Sequence, residues 1–118
     1  MAWSEHTVIC TYRVRDGARD EFLALLERHW PTLHAAGLVT DEPAIAFESL
    51  TTGKPQHDES GTTIVEIFSW ASADAAGIAH RTPAVMAVWE PMGALVEARD
   101  GRPAMEFPHY RPIPLKTG

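Results

Sequence analysis

The spacing of hydrophobic and polar residues predicts four β-strands in this chain. The first strand, over residues 6–15, alternates, and one of its faces is formed by Val8, Cys10, Tyr12 and Val14. Alternation and β-branched residues are typical of strands. The same signals predict three further strands, at residues 44–50, 62–70 and 104–110.

Between the first two strands, apolar residues recur at helical spacing and predict a helix over residues 18–36. Its apolar stripe is formed by Phe22, Leu25, Leu26, Trp30 and Leu33. Asp16 is a candidate N-terminal cap for this helix, and Gly37 is a candidate left-handed stop. Pro31 has no backbone N–H, so we expect a kink where it interrupts the helix.

A second helical region follows the third strand. It starts at Ser72 and restarts at Thr82-Pro83, because threonine is a common cap and proline suits the first helical position. Pro91 predicts a further kink. Residues 51–61, between the second and third strands, are rich in turn formers and charges and predict a polar hairpin loop.

The order of these elements predicts an α+β domain of the ferredoxin-like type, βαββαβ, over residues 6–111, with a tail over residues 112–118. In such a domain one antiparallel sheet carries the helices on one face. The third strand is apolar on both faces, so the other face of the sheet would expose a contiguous apolar patch, which monomers avoid. We therefore expect a second copy to cover that face, giving a homodimer.

Composition narrows the class of function. The 118 residues suffice for one domain, and a net charge of -6 without a basic cluster disfavours nucleic-acid binding. No apolar stretch approaches the roughly 20 residues of a membrane span, and the start of the chain lacks a signal-peptide pattern, so we expect a cytoplasmic protein. Cys10 is the only cysteine, which excludes an intramolecular disulfide and a thiolate zinc site and favours a buried structural role.

The order of elements and the segment FSWASADAAGIAHRTPAVMAVW resemble the dimeric α/β barrel superfamily, and within it the antibiotic biosynthesis monooxygenase-like domains. The resemblance covers about residues 6–111. Family members typically show a strand-end aromatic, a serine, an alanine-rich helix, a histidine and a Thr-Pro. The corresponding residues here are Trp70, Ser72, Ala75, Ala76, His80, Thr82 and Pro83.

The resemblance implies a pocket for a small hydrophobic ligand and a cofactor-independent monooxygenase acting on a planar phenolic or quinol-like substrate, with no metal and no cofactor. The Asn–Trp–His triad of the haem-degrading branch is absent from the corresponding positions, which disfavours haem chemistry. Two alternatives stay open: a non-catalytic ligand-binding or structural dimer, and a small isomerase.

The candidate catalytic residues are His80, Tyr12 and Glu66, and the candidate substrate-binding residues are Trp70, Trp89, Phe68, Trp30 and Met86. An imidazole moves protons near neutral pH, so His80 suits deprotonation of a phenol or enol; alternatively it caps the preceding helix. Glu66, the only charge inside its strand, is either a base in the pocket or, as we favour, the ion-pair partner of Arg13 or Arg111.

The remaining histidines suggest no metal site. His29 and His34 are five residues apart on the first helix, which puts them on different faces. His29, His80 and His109 would meet only if the fold brought them together, which the spacing alone does not decide.

Overall fold

The computed structural model describes residues 3–50 and 61–116. Most of the polar loop predicted over residues 51–61 lies outside the described residues. Along the described parts of the chain the elements are β1 (Thr7–Val14), α1 (Arg19–Ala35), β2 (Ile45–Glu48), β3 (Thr62–Ser69), α2 (Ala75–Ala79), α3 (Pro83–Ala94), β4 (Met105–Glu106) and β5 (His109–Tyr110).

The strands form one antiparallel sheet in the order β2-β3-β1-β4, and β5 also pairs with β1. The helices cover one face of it, which confirms the predicted ferredoxin-like α+β fold. The last predicted strand is divided, however, because Pro108 separates β4 from β5 and has no N–H to donate. Its carbonyl still accepts a hydrogen bond from the backbone N–H of Ile9, at 3.1 Å.

The helix ends differ in part from those expected. Gly37 has a φ of 73° and follows α1 as the predicted left-handed stop. The predicted cap Asp16 does not cap the helix: Ala18 occupies that position, without a side-chain hydrogen bond. Pro31 and Pro91 lie inside α1 and α3 without dividing them, because buried residues on both sides of each proline hold the helix against the core.

The two faces of the sheet differ sharply in burial. On the helix-covered face, Val8, Cys10, Tyr12 and Ile64 are at most 2% exposed and form the core with residues from α1 and α3. On the opposite face, the strand register places Ile9, Ile67 and Ile45 in one row and Thr11, Val65 and Phe47 in the next. In the single chain Ile45 and Phe47 are 43% and 58% exposed, so this outer face leaves an apolar surface uncovered.

No helix within the described parts of the chain is both long enough and apolar enough to cross a membrane.

Candidate functional site

A cavity of about 460 Å³ lies between the covered face of the sheet and the helices. Its volume falls within the range of small-molecule sites, about 300–1,000 Å³. Strand β1, helix α3 and the segment of β4 and β5 supply most of its wall, which is predominantly apolar. The exposed residues His80, Glu90 and His109 lie at its rim.

The structure brings most of the predicted site residues to this one cavity. Six of them line it: Tyr12, Phe68, Trp70, His80, Met86 and Trp89. Trp30 does not line it; its ring stacks on that of His34, with centroids 4.6 Å apart. The adjacent residue of α1, His29, faces the cavity instead.

The pairing expected for Glu66 is wrong. Arg13 lies on the other face of the sheet, where its guanidinium bonds the Glu106 carboxylate and the Pro103 carbonyl, each at 2.7 Å. Arg111 is exposed beyond β5. Because successive side chains of a strand point to opposite faces, an arginine at position 13 cannot meet a carboxylate on the covered face.

Glu66 belongs instead to a buried chain of hydrogen bonds beside the cavity. The Tyr12 hydroxyl donates to Glu66 Oε1 at 2.8 Å. His29 Nδ1 lies 2.9 Å from the same oxygen and 3.1 Å from Oε2. The Trp89 indole N–H donates to His29 Nε2 at 2.7 Å. Glu66 and His29 are 1% and 3% exposed, so this pair is held almost entirely out of water.

The donor and the acceptor in each of these hydrogen bonds follow from which atoms are able to donate. An indole nitrogen only donates, so His29 Nε2 must accept. A neutral imidazole that accepts at Nε2 carries its proton on Nδ1, which then donates to the Glu66 carboxylate. The chain therefore runs from Trp89 through His29 to Glu66, in the arrangement by which a carboxylate orients a histidine.

Tyr12 donates from the other side of Glu66. Burial, and then the neighbouring Glu66 charge, raise the pKa of Tyr12 well above its usual value. Tyr12 therefore keeps its proton and serves as a hydrogen-bond donor to Glu66. Burial likewise raises the pKa of the Cys10 thiol, in keeping with a buried structural cysteine.

Trp89 separates an outer from an inner histidine. Its ring contacts His80 edge to face, with centroids 4.8 Å apart, and His29 on its inner side at 6.2 Å. At the end of α2 the backbone N–H of His80 donates to the Ala76 carbonyl and that of Arg81 to the Ile78 carbonyl. Among the described residues the His80 imidazole has no hydrogen-bond partner. His29, His80 and His109 all line the cavity, yet no three metal-ligating side chains converge within the described residues.

His29 is the residue that the sequence-based interpretation did not place. The buried residues of α1 are Phe22, Leu26, His29 and Leu33, so His29 occupies an inward position of the helix. That spacing of four, three and four residues is the signal that indicates a histidine facing the core.

The fold has relatives among solved structures, whereas no family model matches the chain and no curated protein is similar to it in sequence. A structure described as an antibiotic biosynthesis monooxygenase has a TM-score of 0.62 and 16% identity, covering 92% of this chain and 98% of that one. Rv0793 from Mycobacterium tuberculosis also has a TM-score of 0.62, with 18% identity, covering 94% and 97%.

A variant of SnoaB, a cofactor-independent oxygenase from Streptomyces nogalater, is similar with a TM-score of 0.60 and 15% identity, covering 95% and 97%. The chain thus has the fold of the antibiotic biosynthesis monooxygenase structures over most of its length, which confirms the resemblance at the level of fold.

Proposed function

We propose that this protein is a cytoplasmic homodimer that binds a planar phenolic or quinol-like molecule and oxidises it with O2 without a cofactor. The observation that carries the proposal is a largely apolar cavity of about 460 Å³ with a hydrogen-bonded histidine–carboxylate pair beside it. SnoaB, a cofactor-independent oxygenase of similar fold, supports the reaction type.

The cavity suits a flat, hydrophobic ligand. Phe68, Trp70, Trp89 and Met86 provide an aromatic and thioether wall against which such a molecule can pack. Polar side chains reach the cavity at few points, and a carbohydrate would need many more of them. The isomerase alternative, which requires a sugar pocket, therefore has less support than a hydrophobic substrate.

The reaction needs a proton acceptor and O2. In a cyclic ketone such as anthrone, the methylene group between the two aryl rings, or the corresponding enol, loses a proton to a basic group at the site, and the resulting anion delivers electrons to O2. The hydroperoxide that forms then loses water and leaves a carbonyl group. One methylene compound and one O2 thus give one ketone and one water, so substrate electrons reduce the oxygen. In this scheme Tyr12 donates to Glu66, and Glu66 orients the imidazole of the buried histidine–carboxylate pair. His80 contacts the substrate at the rim.

The outer face of the sheet supports the homodimer. Its row of Ile9, Ile67 and Ile45 and the neighbouring Val65 and Phe47 form a contiguous apolar surface on the side without helices. Covering a few hundred Å² of such surface contributes several kcal/mol, at about 25 cal/mol per Å² before association costs. A second copy packing sheet to sheet covers it with the same patch, as two-fold symmetry requires.

Oxygen consumption with anthrone tests the proposed reaction. We expect the protein to accelerate O2 uptake and to form anthraquinone, with one O2 consumed per anthrone. Ala76→Phe places a ring in the cavity wall and should lower kcat/KM by about 10-fold or more, on the order of 1.4 kcal/mol. The matched control Ala24→Phe, on the exposed side of α1, should leave it unchanged.

Absence of any protein-dependent O2 uptake with anthrone and 1,8-dihydroxyanthrone would contradict the oxidase proposal. If both compounds nevertheless bound in the cavity, the non-catalytic ligand-binding alternative would replace it.

A further inference from the structure

We propose that the Trp89 indole N–H holds the place of a ligand hydroxyl, and that His29 Nε2, once released, is the proton acceptor of the cavity. This inference depends on the proposed use of the cavity for a planar ligand, but not on the reaction with O2. It assigns the base to the buried histidine on α1 rather than to His80 at the rim.

The first argument is the cost of the arrangement. A carboxylate and an imidazole at 1% and 3% exposure are expensive to bury, and apolar residues of similar volume would fill the same space. Side chains that break the rule of an apolar interior occur preferentially at functional sites. Here the buried pair lies beside the cavity, so its position matches a chemical role.

The second argument is the donor-to-acceptor direction of the hydrogen bonds that meet at Glu66 and His29. Glu66 accepts from both Tyr12 and His29 Nδ1, which fixes the ring orientation and leaves Nε2 as the basic nitrogen. A base held by a carboxylate in this way is the general pattern of histidine catalysis. The imidazolium that forms when Nε2 takes a proton is stabilised by the adjacent carboxylate.

The third argument is what covers that nitrogen. The only hydrogen bond to Nε2 within the described residues comes from Trp89, which is half-buried on α3 and lines the cavity. A ligand O–H replaces the indole N–H without leaving Nε2 unpaired, so the exchange conserves this hydrogen bond. The ligand class that fits is a flat apolar body with an acidic phenol or enol hydroxyl.

Two ligands that differ in one methyl group test this exchange. We compare the dissociation constants of 2-naphthol and 2-methoxynaphthalene, because only the first has a hydroxyl to donate. The Trp89→Phe variant keeps an aromatic ring at this position but has no indole N–H to compete for His29 Nε2. The preference for 2-naphthol should therefore rise by about 2- to 10-fold, the worth of one hydrogen bond.

Trp70→Phe is the matched control. Trp70 also lines the cavity, but its indole nitrogen has no hydrogen-bond partner among the described residues. The same substitution there changes both affinities together, if at all, and should leave their ratio unaltered. An unchanged or lower preference in Trp89→Phe, an equal rise in Trp70→Phe, or no binding of 2-naphthol would overturn the proposal.

The exchange can also be tested on the unsubstituted protein, without any variant. Saturation with 2-naphthol should move the NMR signal of the Trp89 indole N–H, whereas 2-methoxynaphthalene should leave its hydrogen bond in place. Equal effects of the two ligands would overturn the exchange. Because neither experiment involves O2, the exchange and the oxidase reaction can fail separately.

Discussion

Replacing Glu66 with alanine is expected to lower the free energy of unfolding by about 3–5 kcal/mol, because two buried donors lose their acceptor, at about 1–3 kcal/mol each. The Tyr12 hydroxyl and His29 Nδ1 would both lose their acceptor in a region that water does not reach. The shortened side chain also leaves a void. Urea denaturation followed by tryptophan fluorescence, at one fixed protein concentration, measures the effect.

Glu66→Gln is the control for this prediction. The amide keeps an acceptor oxygen at the same reach, so the loss should be smaller, about 1–2 kcal/mol. A loss below about 1 kcal/mol in Glu66→Ala, or equal losses in the two variants, would contradict the hydrogen-bonded chain as the element that organises this part of the core.

Placing aspartate at position 67 is expected to dissociate the proposed dimer. Ile67 lies in the centre of the outer face, between Ile9 and Ile45, so a dimer through this face would bury the new carboxylate without a partner. Two-fold symmetry introduces the charge twice. We expect the dissociation constant to rise by about 100-fold or more, roughly 3 kcal/mol. Sedimentation velocity over a concentration series measures it.

Ala24→Asp provides the matched control, because it adds the same charge on the exposed side of α1, away from the sheet. It should sediment as the unsubstituted protein does, and both variants should keep their circular dichroism. Unsubstituted protein that sediments as a monomer at micromolar concentration would contradict sheet-to-sheet association, as would a dimer that Ile67→Asp leaves intact.

Strand patterns predicted the fold well because their period is two. Alternation assigns Val8, Cys10 and Tyr12 to one face of β1, and residues paired with them on neighbouring strands point to the same face of the sheet. The structure buries those three residues as expected. The sheet side of the cavity wall follows from the same alternation. Phe68 and Trp70 share the inner face of the third predicted strand, and both line the cavity.

Helical and long-range details were harder to predict. Trp30 and His29 are adjacent on α1, and a shift of one position on a 3.6-residue period is enough to take a side chain out of the cavity wall. The histidine partner of Glu66 is 37 residues away along the chain, and only the packing of α1 on the sheet brings His29 to it. A charge on a strand indicates that a partner exists, but spacing along one strand does not identify a partner on a helix.

The position of the proton on His29 tests the central claim most directly. Long-range ¹H–¹⁵N correlation NMR of the free protein distinguishes the two neutral tautomers of an imidazole. The hydrogen-bonded chain predicts that His29 carries its proton on Nδ1, toward Glu66, with Nε2 unprotonated and bonded by the Trp89 indole. A proton found on Nε2 would contradict it, since that nitrogen could then neither accept from Trp89 nor act as the base of the cavity.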